Sequence, residues 1–275
     1  MKKFRFIIAI AAALTAAVSC GQGKDARKVL VLYYSQSANT KALAEEFAER
    51  LGADIEEVLP VEPYAGAYQD VINRSSRERQ EGVLPEVKPL KADIASYDLI
   101  FVGYPIWFGT YALPMASALE RIDLNGKKVV PFCTFGSGGL EASAKDLQDK
   151  FPQAEVLPGY GVRAARMDAI SAEMDRFLKS GGYIEGEAAV LEAFPEAHPV
   201  SEDESAIFDA AVGDYPMIQA KAATVASRAV PGGTEYLFTA LSQPIPGSAA
   251  SSLPQMKVYV LAENGKAPVF TRVVR

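Results

Sequence analysis

The sequence predicts an α/β protein in which a doubly wound, five-stranded parallel sheet of order 2-1-3-4-5 is followed by a small α+β domain. Short apolar runs alternate with amphipathic helical segments in the first part of the chain, as expected of parallel strands covered by helices on both faces. Later the pattern changes to one helix followed by several strands, and 275 residues exceed the usual size of one domain. We therefore expect a first domain over 28–183, a linker over 184–200 and a second domain over 201–275.

The elements of the first domain follow from its hydrophobic periodicity. The run 28–34 (KVLVLYY) is apolar without alternation, which predicts the central strand. Apolar residues then recur at a spacing of four from Leu43 to Leu51, which predicts a helix. The same reasoning predicts strands over 54–58, 98–103 and 127–133 and helices over 113–121, 140–151 and 168–180.

The second domain is predicted to pack one helix on an antiparallel sheet. The helix covers 202–212, with Ser201 as its N-cap, because its apolar residues share one face. Asn264 and Gly265 predict a hairpin turn between the last two strands. Strands are predicted over 215–228, 234–242, 256–262 and 268–274.

The N-terminal segment predicts export. A basic start is followed by the apolar stretch 6–18, an order typical of a signal peptide over 1–20, with 21–27 as a flexible tether. A permanent membrane span is the alternative, but about 13 apolar residues are fewer than the roughly 20 that a helix needs to cross a bilayer. We therefore leave this segment out of the fold.

The end of the apolar stretch resembles a bacterial lipobox. It reads Ala-Val-Ser-Cys-Gly, with Ala17 where Leu is usual. The resemblance implies that Cys20 carries lipid and anchors the protein in the cell envelope, on the periplasmic side rather than at the cell surface. Plain secretion, with Cys20 removed or unmodified, is the alternative. The other cysteine is Cys133, so a lipidated Cys20 leaves no pair for a disulfide within the chain.

Composition excludes several classes of function. The formal net charge of −6 becomes about −9 when the three basic residues of the signal peptide are removed, which makes nucleic acid an unsuitable partner. The single histidine, His198, lies in the predicted linker, so Ser-His or Cys-His catalysis and a histidine metal site lack the residues they need. We expect the chemistry to come mainly from a bound cofactor rather than from a catalytic side chain.

The first candidate binding loop, 35–40 (SQSANT), connects the central strand to its helix. Backbone N–H groups and the helix dipole attract anions at such a turn. Its hydroxyl and amide side chains add donors suited to a phosphate, so no Lys or Arg is needed. The alternative is a polar turn that only caps the helix. The donors are Ser35, Ser37, Asn39 and Thr40.

Two further loops are predicted after the third and fourth strands. The loop 103–109 (GYPIWFG) holds the only tryptophan, Trp107, whose flat face suits stacking on an aromatic ring. The loop 134–139 (TFGSGG) is glycine-rich, which lets backbone N–H groups approach a ligand. A loop aromatic that closes the core and a plain glycine turn are the alternatives. All three loops are expected to converge at the switch point of the sheet, where open α/β sheets bind ligands.

These loops resemble those of the flavodoxin family. The family's phosphate loop reads roughly Ser/Thr-x-Ser/Thr-Gly-Asn-Thr, which the chain matches except for Ala38 in place of Gly. The resemblance implies a flavodoxin-like domain that binds FMN, with the phosphate in the first loop and the flavin ring at the other two. The implied cofactor-binding residues are Ser35, Ser37, Ala38, Asn39, Thr40, Pro105, Ile106, Trp107, Phe108, Gly109, Thr134, Phe135, Gly136, Gly138 and Gly139.

Two further resemblances concern the rest of the chain. The segment 64–80 is similar to the helical insert of a flavodoxin subgroup that carries a Tyr near the flavin, which makes Tyr68 a candidate; a surface helix is the alternative. The second domain resembles the cystatin fold, whose first loop is Gln-x-Val-x-Gly. Val230 and Gly232 match that loop, and Arg228 replaces the Gln. We therefore expect a docking or structural module rather than a protease inhibitor.

The sequence therefore predicts an FMN-dependent electron carrier or reductase anchored in the cell envelope. Its acidic surface suits a basic redox partner protein, with a small-molecule electron acceptor as the other option. A non-catalytic lipoprotein that keeps the flavodoxin scaffold for protein contacts is the alternative. A quinone reductase that takes hydride directly from NAD(P)H is the third hypothesis.

Overall fold

The computed structural model describes residues 28–213, 215–216, 218–242 and 255–275. The predicted signal peptide, the predicted lipidation of Cys20 and the predicted tether lie outside these residues. Within the described ranges, no helix combines the length and the apolar character needed to cross a membrane.

The first domain alternates strands and helices as predicted. Short 3-10 helical turns lie at Ile94–Ser96 and Ala164–Ala169. The strands are β1 (Val29–Tyr33), β2 (Asp54–Glu57), β3 (Leu99–Trp107), β4 (Thr110–Tyr111), β5 (Lys128–Phe135), β6 (Glu155–Val156) and β7 (Tyr160–Arg163). The helices are α1 (Asn39–Leu51), α2 (Tyr68–Glu81), α3 (Leu113–Leu119), α4 (Leu140–Lys150) and α5 (Ile170–Ser180).

The parallel sheet has the predicted order. Strands run β2-β1-β3-β5, and both β6 and β7 pair with β5 in parallel. The fifth position is therefore filled by two short strands, β6 beside the start of β5 and β7 beside its end. The order 2-1-3-4-5 is confirmed, with the fifth strand interrupted.

Apolar side chains cover both faces of this sheet. On one face Phe47 of α1 packs against Phe101 and Phe132, with ring centroids 5.1 and 4.9 Å apart, and α5 adds Met174. On the other face Met115 of α3 belongs to a second buried cluster. Because successive residues of a strand point to opposite faces, a strand buried on both sides must be apolar throughout.

Two strands extend further than the sequence predicts. Strand β3 continues to Trp107 and β5 continues to Phe135, so the first residues of both predicted loops are sheet residues. Tyr104 and Phe135 are buried, and their apolar rings carry the sheet pattern past the predicted ends. Pro105, Ile106, Trp107, Thr134 and Phe135 are therefore strand residues, which corrects their placement in loops.

The second domain is one helix on an antiparallel sheet, as predicted, but the sheet has five strands where four were predicted, and the strand predicted over 215–228 spans Ala220–Val230. Ser201 caps the helix through a reciprocal pair with Glu204, and Phe208 packs edge-on against Phe238 with ring centroids 5.2 Å apart. His198 is not a linker residue but pairs with Val225 in an exposed edge strand. The elements are β8 (His198–Pro199), α6 (Glu202–Val212), β9 (Ala220–Val230), β10 (Gly233–Ser242), β11 (Gln255–Glu263) and β12 (Val269–Val274), in the sheet order β12-β11-β10-β9-β8.

Helix α1 begins from a strained residue. Ala38 has a φ of 64°, in the left-handed region that residues with a Cβ rarely adopt, and its side chain makes no capping hydrogen bond. This conformation costs about 1–2 kcal/mol for a residue other than glycine. The flavodoxin loop has Gly at this position, so the Ala38 of this chain introduces backbone strain that Gly would not.

Replacing Ala38 with Gly should raise the free energy of unfolding by about 0.5–1 kcal/mol, because relief of the strain exceeds the entropy cost of glycine. The same exchange at Ala42, an exposed residue inside α1, should lower it by about 1 kcal/mol. Urea unfolding of both variants measures the difference. If Ala38→Gly destabilises as much as Ala42→Gly, the strain is not present.

Candidate functional site

The carboxyl ends of β1, β3 and β5 lie at one edge of the parallel sheet. The registers Tyr33↔Gly103 and Gly103↔Phe132 place these strands level with one another. The chain leaves β1 through the predicted phosphate loop, β3 through a hairpin and β5 through the glycine-rich turn. The fold therefore gathers the three predicted loops at one edge.

The first loop and the end of β5 are joined by a buried hydrogen bond. The hydroxyls of Thr40 and Thr134 lie 2.8 Å apart, and either one donates. Nearby, the Ser35 hydroxyl accepts a hydrogen bond from the backbone N–H of Lys41 at 3.1 Å. Ser37 is exposed and Asn39 half-buried. This polar loop supplies hydroxyls, an amide and a helix N-terminus without a Lys or Arg side chain between Ser35 and Thr40.

Strand β3 ends in a strained two-residue hairpin. Trp107 pairs with Thr110, and Phe108 and Gly109 between them have φ values of 51° and 87°. Positive φ at both central residues is typical of a type I′ hairpin turn, but a bulky residue rarely adopts it. The Phe108 side chain is 47% exposed, and the guanidinium of Arg79 lies 5.4 Å from its ring centroid. The turn thus presents an aromatic ring to solvent at the edge where the loops meet.

Trp107 is held by two tyrosines. Its ring packs edge-on against Tyr34 and Tyr64, with centroids 5.8 and 5.1 Å away. Gln36 links these neighbours, since its side chain accepts from the Tyr34 hydroxyl at 2.6 Å and donates to the Tyr64 carbonyl at 2.8 Å. The orientation of Trp107 is therefore fixed by the first loop and by the insert before α2.

Tyr64, which was not a candidate from the sequence, contacts the ring of Trp107. Its hydroxyl hydrogen-bonds to Glu78, and the guanidinium of Arg74 lies 4.1 Å from its ring centroid. Burial and the Glu78 carboxylate raise the pKa of Tyr64. The predicted candidate, Tyr68, begins α2 and is 80% exposed. Nothing in the spacing of the insert distinguished the two tyrosines.

The glycine-rich turn contacts the second loop on one side and the second domain on the other. A Cβ on Gly139 would lie 2.6 Å from the Ile106 Cγ2, so the second and third loops pack where a larger residue would not fit. Phe135 points into the buried core. On its other side, Ser137 accepts a hydrogen bond through its carbonyl from the Val273 N–H at 2.6 Å. The second domain therefore reaches this edge, which the sequence did not predict.

Several known proteins are similar to part of the chain. NAD(P)H dehydrogenase (quinone) from Cupriavidus metallidurans is 33% identical over 132 residues, covering 42% of this chain and 61% of that protein. The corresponding protein from Gluconacetobacter diazotrophicus is 38% identical over 99 residues, covering 34% of this chain and 46% of that protein. The chain thus spans less than two thirds of the length of these curated relatives.

Two solved structures are also similar to part of the chain. A crystal structure assigned as a flavoprotein from Bacteroides eggerthii is 32% identical, covers 54% of this chain and 96% of that chain, and has a TM-score of 0.47. A flavoprotein from Lactobacillus acidophilus in complex with FMN is 24% identical, covers 54% and 99%, and has a TM-score of 0.45. A family model described as flavodoxin matches residues 28–174, which is more than half of the chain, and the protein therefore belongs to the flavodoxin family.

Proposed function

We propose that the first domain binds FMN and that the protein transfers electrons as a carrier or reductase. The observation that carries this proposal is the convergence of three dissimilar loops at one sheet edge, where the Thr40 to Thr134 hydrogen bond joins the first loop to the end of β5. Membership of the flavodoxin family supports the same cofactor. The site lies where open α/β sheets bind ligands.

The residues at this edge fit the parts of FMN. The loop from Ser35 to Thr40 offers hydroxyl, amide and backbone donors to the phosphate. Trp107 and Phe108 offer aromatic surface to the ring, and the turn from Gly136 to Gly139 offers close backbone approach. When bound, FMN supplies the redox chemistry at N5 and at its dimethylbenzene edge, while the chain binds and orients it and excludes water.

Direct quinone reduction is a second candidate. The two relatives described above are NAD(P)H dehydrogenases (quinone). Such an enzyme must accept hydride from the nicotinamide, which a carrier need not do. Steady oxidation of NAD(P)H by the FMN-loaded protein in the presence of a quinone distinguishes the two.

The remaining hypotheses concern location and partners. A lipid on Cys20 would hold the domain at a cell-envelope membrane, on the periplasmic side. The excess of acidic over basic residues suits a basic redox partner protein or a small-molecule acceptor, and not nucleic acid. If the domain is folded but binds no flavin, the scaffold serves protein contacts instead.

FMN titration of residues 21–275 tests the cofactor proposal. We expect saturable binding at micromolar concentration or tighter, with quenching of flavin and tryptophan fluorescence, because Trp107 is the only tryptophan. Circular dichroism establishes that the protein is folded. Absence of saturable binding in folded protein would overturn the proposal and leave the binding module as the leading function.

Trp107→Ala should weaken FMN binding by about 1 kcal/mol or more, roughly fivefold, because an aromatic contact contributes that much beyond buried area. Tyr68→Ala is the companion variant, since Tyr68 is the other predicted aromatic contact and lies far more exposed. The dissociation constants of both are compared with the unaltered protein. An unchanged constant removes the altered residue from the site.

Cys20→Ser should release the protein from the membrane fraction, because serine cannot carry the thioether-linked lipid. The measurement is fractionation of cells that express the full chain. Cys133→Ser is the matched control, since Cys133 is buried in the sheet and should not affect the fraction. Equal membrane association of the Cys20→Ser and unaltered chains would contradict the anchor.

A further inference from the structure

The last strand of the second domain lies against the glycine-rich turn. Strand β12 is an edge strand of its sheet, and edge strands present unpaired N–H groups. Here the Val273 N–H donates to the Ser137 carbonyl at 2.6 Å. The edge of the second domain's sheet is therefore in contact with a loop of the candidate flavin site.

Arg163 links the same two parts of the chain. It ends β7, where it pairs in register with Phe135 at the carboxyl end of β5. Its Nε donates to the Gly136 carbonyl at 2.9 Å, and its Nη1 donates to the Phe270 carbonyl of β12 at 2.9 Å. The guanidinium also lies 3.4 Å from the Phe270 ring centroid. One side chain thus holds the turn on one side and the second domain on the other.

The fit between the two surfaces depends on glycine. A Cβ on Gly138 would lie 2.0 Å from the Val273 carbonyl oxygen, a distance at which backbone must move. A Cβ on Gly136 would lie 2.7 Å from the Tyr215 hydroxyl. Gly138 is therefore required for this contact with the second domain, whereas a Cβ at Gly136 would displace only the end of the Tyr215 side chain. We call the contacts of Gly136, Ser137, Gly138 and Arg163 with β12 and Tyr215 the β12 contact.

We propose that the β12 contact holds the glycine-rich turn in its ligand-binding conformation, so that the second domain is a working part of the flavin site. This inference rests on the proposed FMN function. Arg163 is then a positioning residue that acts through the turn. Because coupling between two sites is reciprocal, flavin binding must in turn tighten the β12 contact.

Arg163→Met tests the proposal in the full mature chain, because it removes both hydrogen bonds and keeps an unbranched apolar side chain. We expect the FMN dissociation constant to rise at least about fivefold. Arg166→Met is the matched control: Arg166 follows on the next turn and pairs with Glu173 within the first domain at 2.6 Å. It should change the constant by less than about twofold. If both variants raise the FMN dissociation constant equally while the unaltered chain binds FMN tightly, the inference is overturned but the proposed FMN function stands.

Arg163→Lys separates positioning from simple charge attraction to the phosphate. Lysine keeps the positive charge but lacks the planar group that donates in two directions. We expect this variant to bind FMN as weakly as Arg163→Met. Recovery of the unaltered affinity would show that charge is sufficient and would overturn the positioning role.

Hydrogen exchange on the unaltered chain tests the reciprocal effect without a variant that risks misfolding. Saturating FMN should slow exchange within β12, above all at the Val273 amide, and leave β10 unchanged as an internal reference. Unchanged exchange in β12 at saturation would overturn the coupling while FMN binding itself stands. If the unaltered chain binds no FMN, the proposed function fails, and the coupling fails with it.

Discussion

Parallel pairing of β1, β3 and β5 is the constraint on which the site depends. These strands are separated by tens of residues in the sequence, yet their register places Tyr33, Gly103 and Phe132 side by side. Loops that leave parallel strands at the same end emerge at one edge of the sheet. The hydrogen bond between Thr40 and Thr134 forms because the pairing of β1 and β5 with β3 brings the start of α1 near the carboxyl end of β5. Without that register, the three loops would be unrelated polar turns.

The strands and helices were largely predictable because burial on both faces leaves a clear apolar signal. Helix α6 was predicted at its observed limits, since Ser201 and Glu204 form a capping box that acts within one turn. The predicted ends of β3 and β5 were wrong because burial on both faces, which makes the middle of each strand easy to predict, continues past those ends. Glycine and proline in the motifs suggested loops, but the buried rings of Tyr104 and Phe135 extend the sheet beyond them.

The contacts that complete the site were not predictable, because they join residues far apart in the chain. Arg163 and Phe270 are 107 positions apart, and neither residue has a local pattern that indicates a partner. The sequence around Tyr64 likewise does not indicate its contact with Trp107, because that contact depends on where the insert folds. The glycines at 136 and 138 carried a signal that was open to two explanations. Close approach to a ligand and close packing against β12 require the same missing Cβ.

Backbone strain adds an independent argument that this edge is functional. Among the described residues, Ala38 and Phe108 are the non-glycine residues with positive φ, and both lie in the loops that meet there. Such conformations cost of order 1–3 kcal/mol and persist only where the surrounding structure fixes them. The hairpin pairing of β3 with β4 fixes the backbone of Phe108, and α1, which begins directly after Ala38, fixes the backbone of Ala38. The observed backbone at the candidate site thus differs from the conformation that these residue types prefer. Such differences are expected at functional sites, where selection acts on binding rather than on stability.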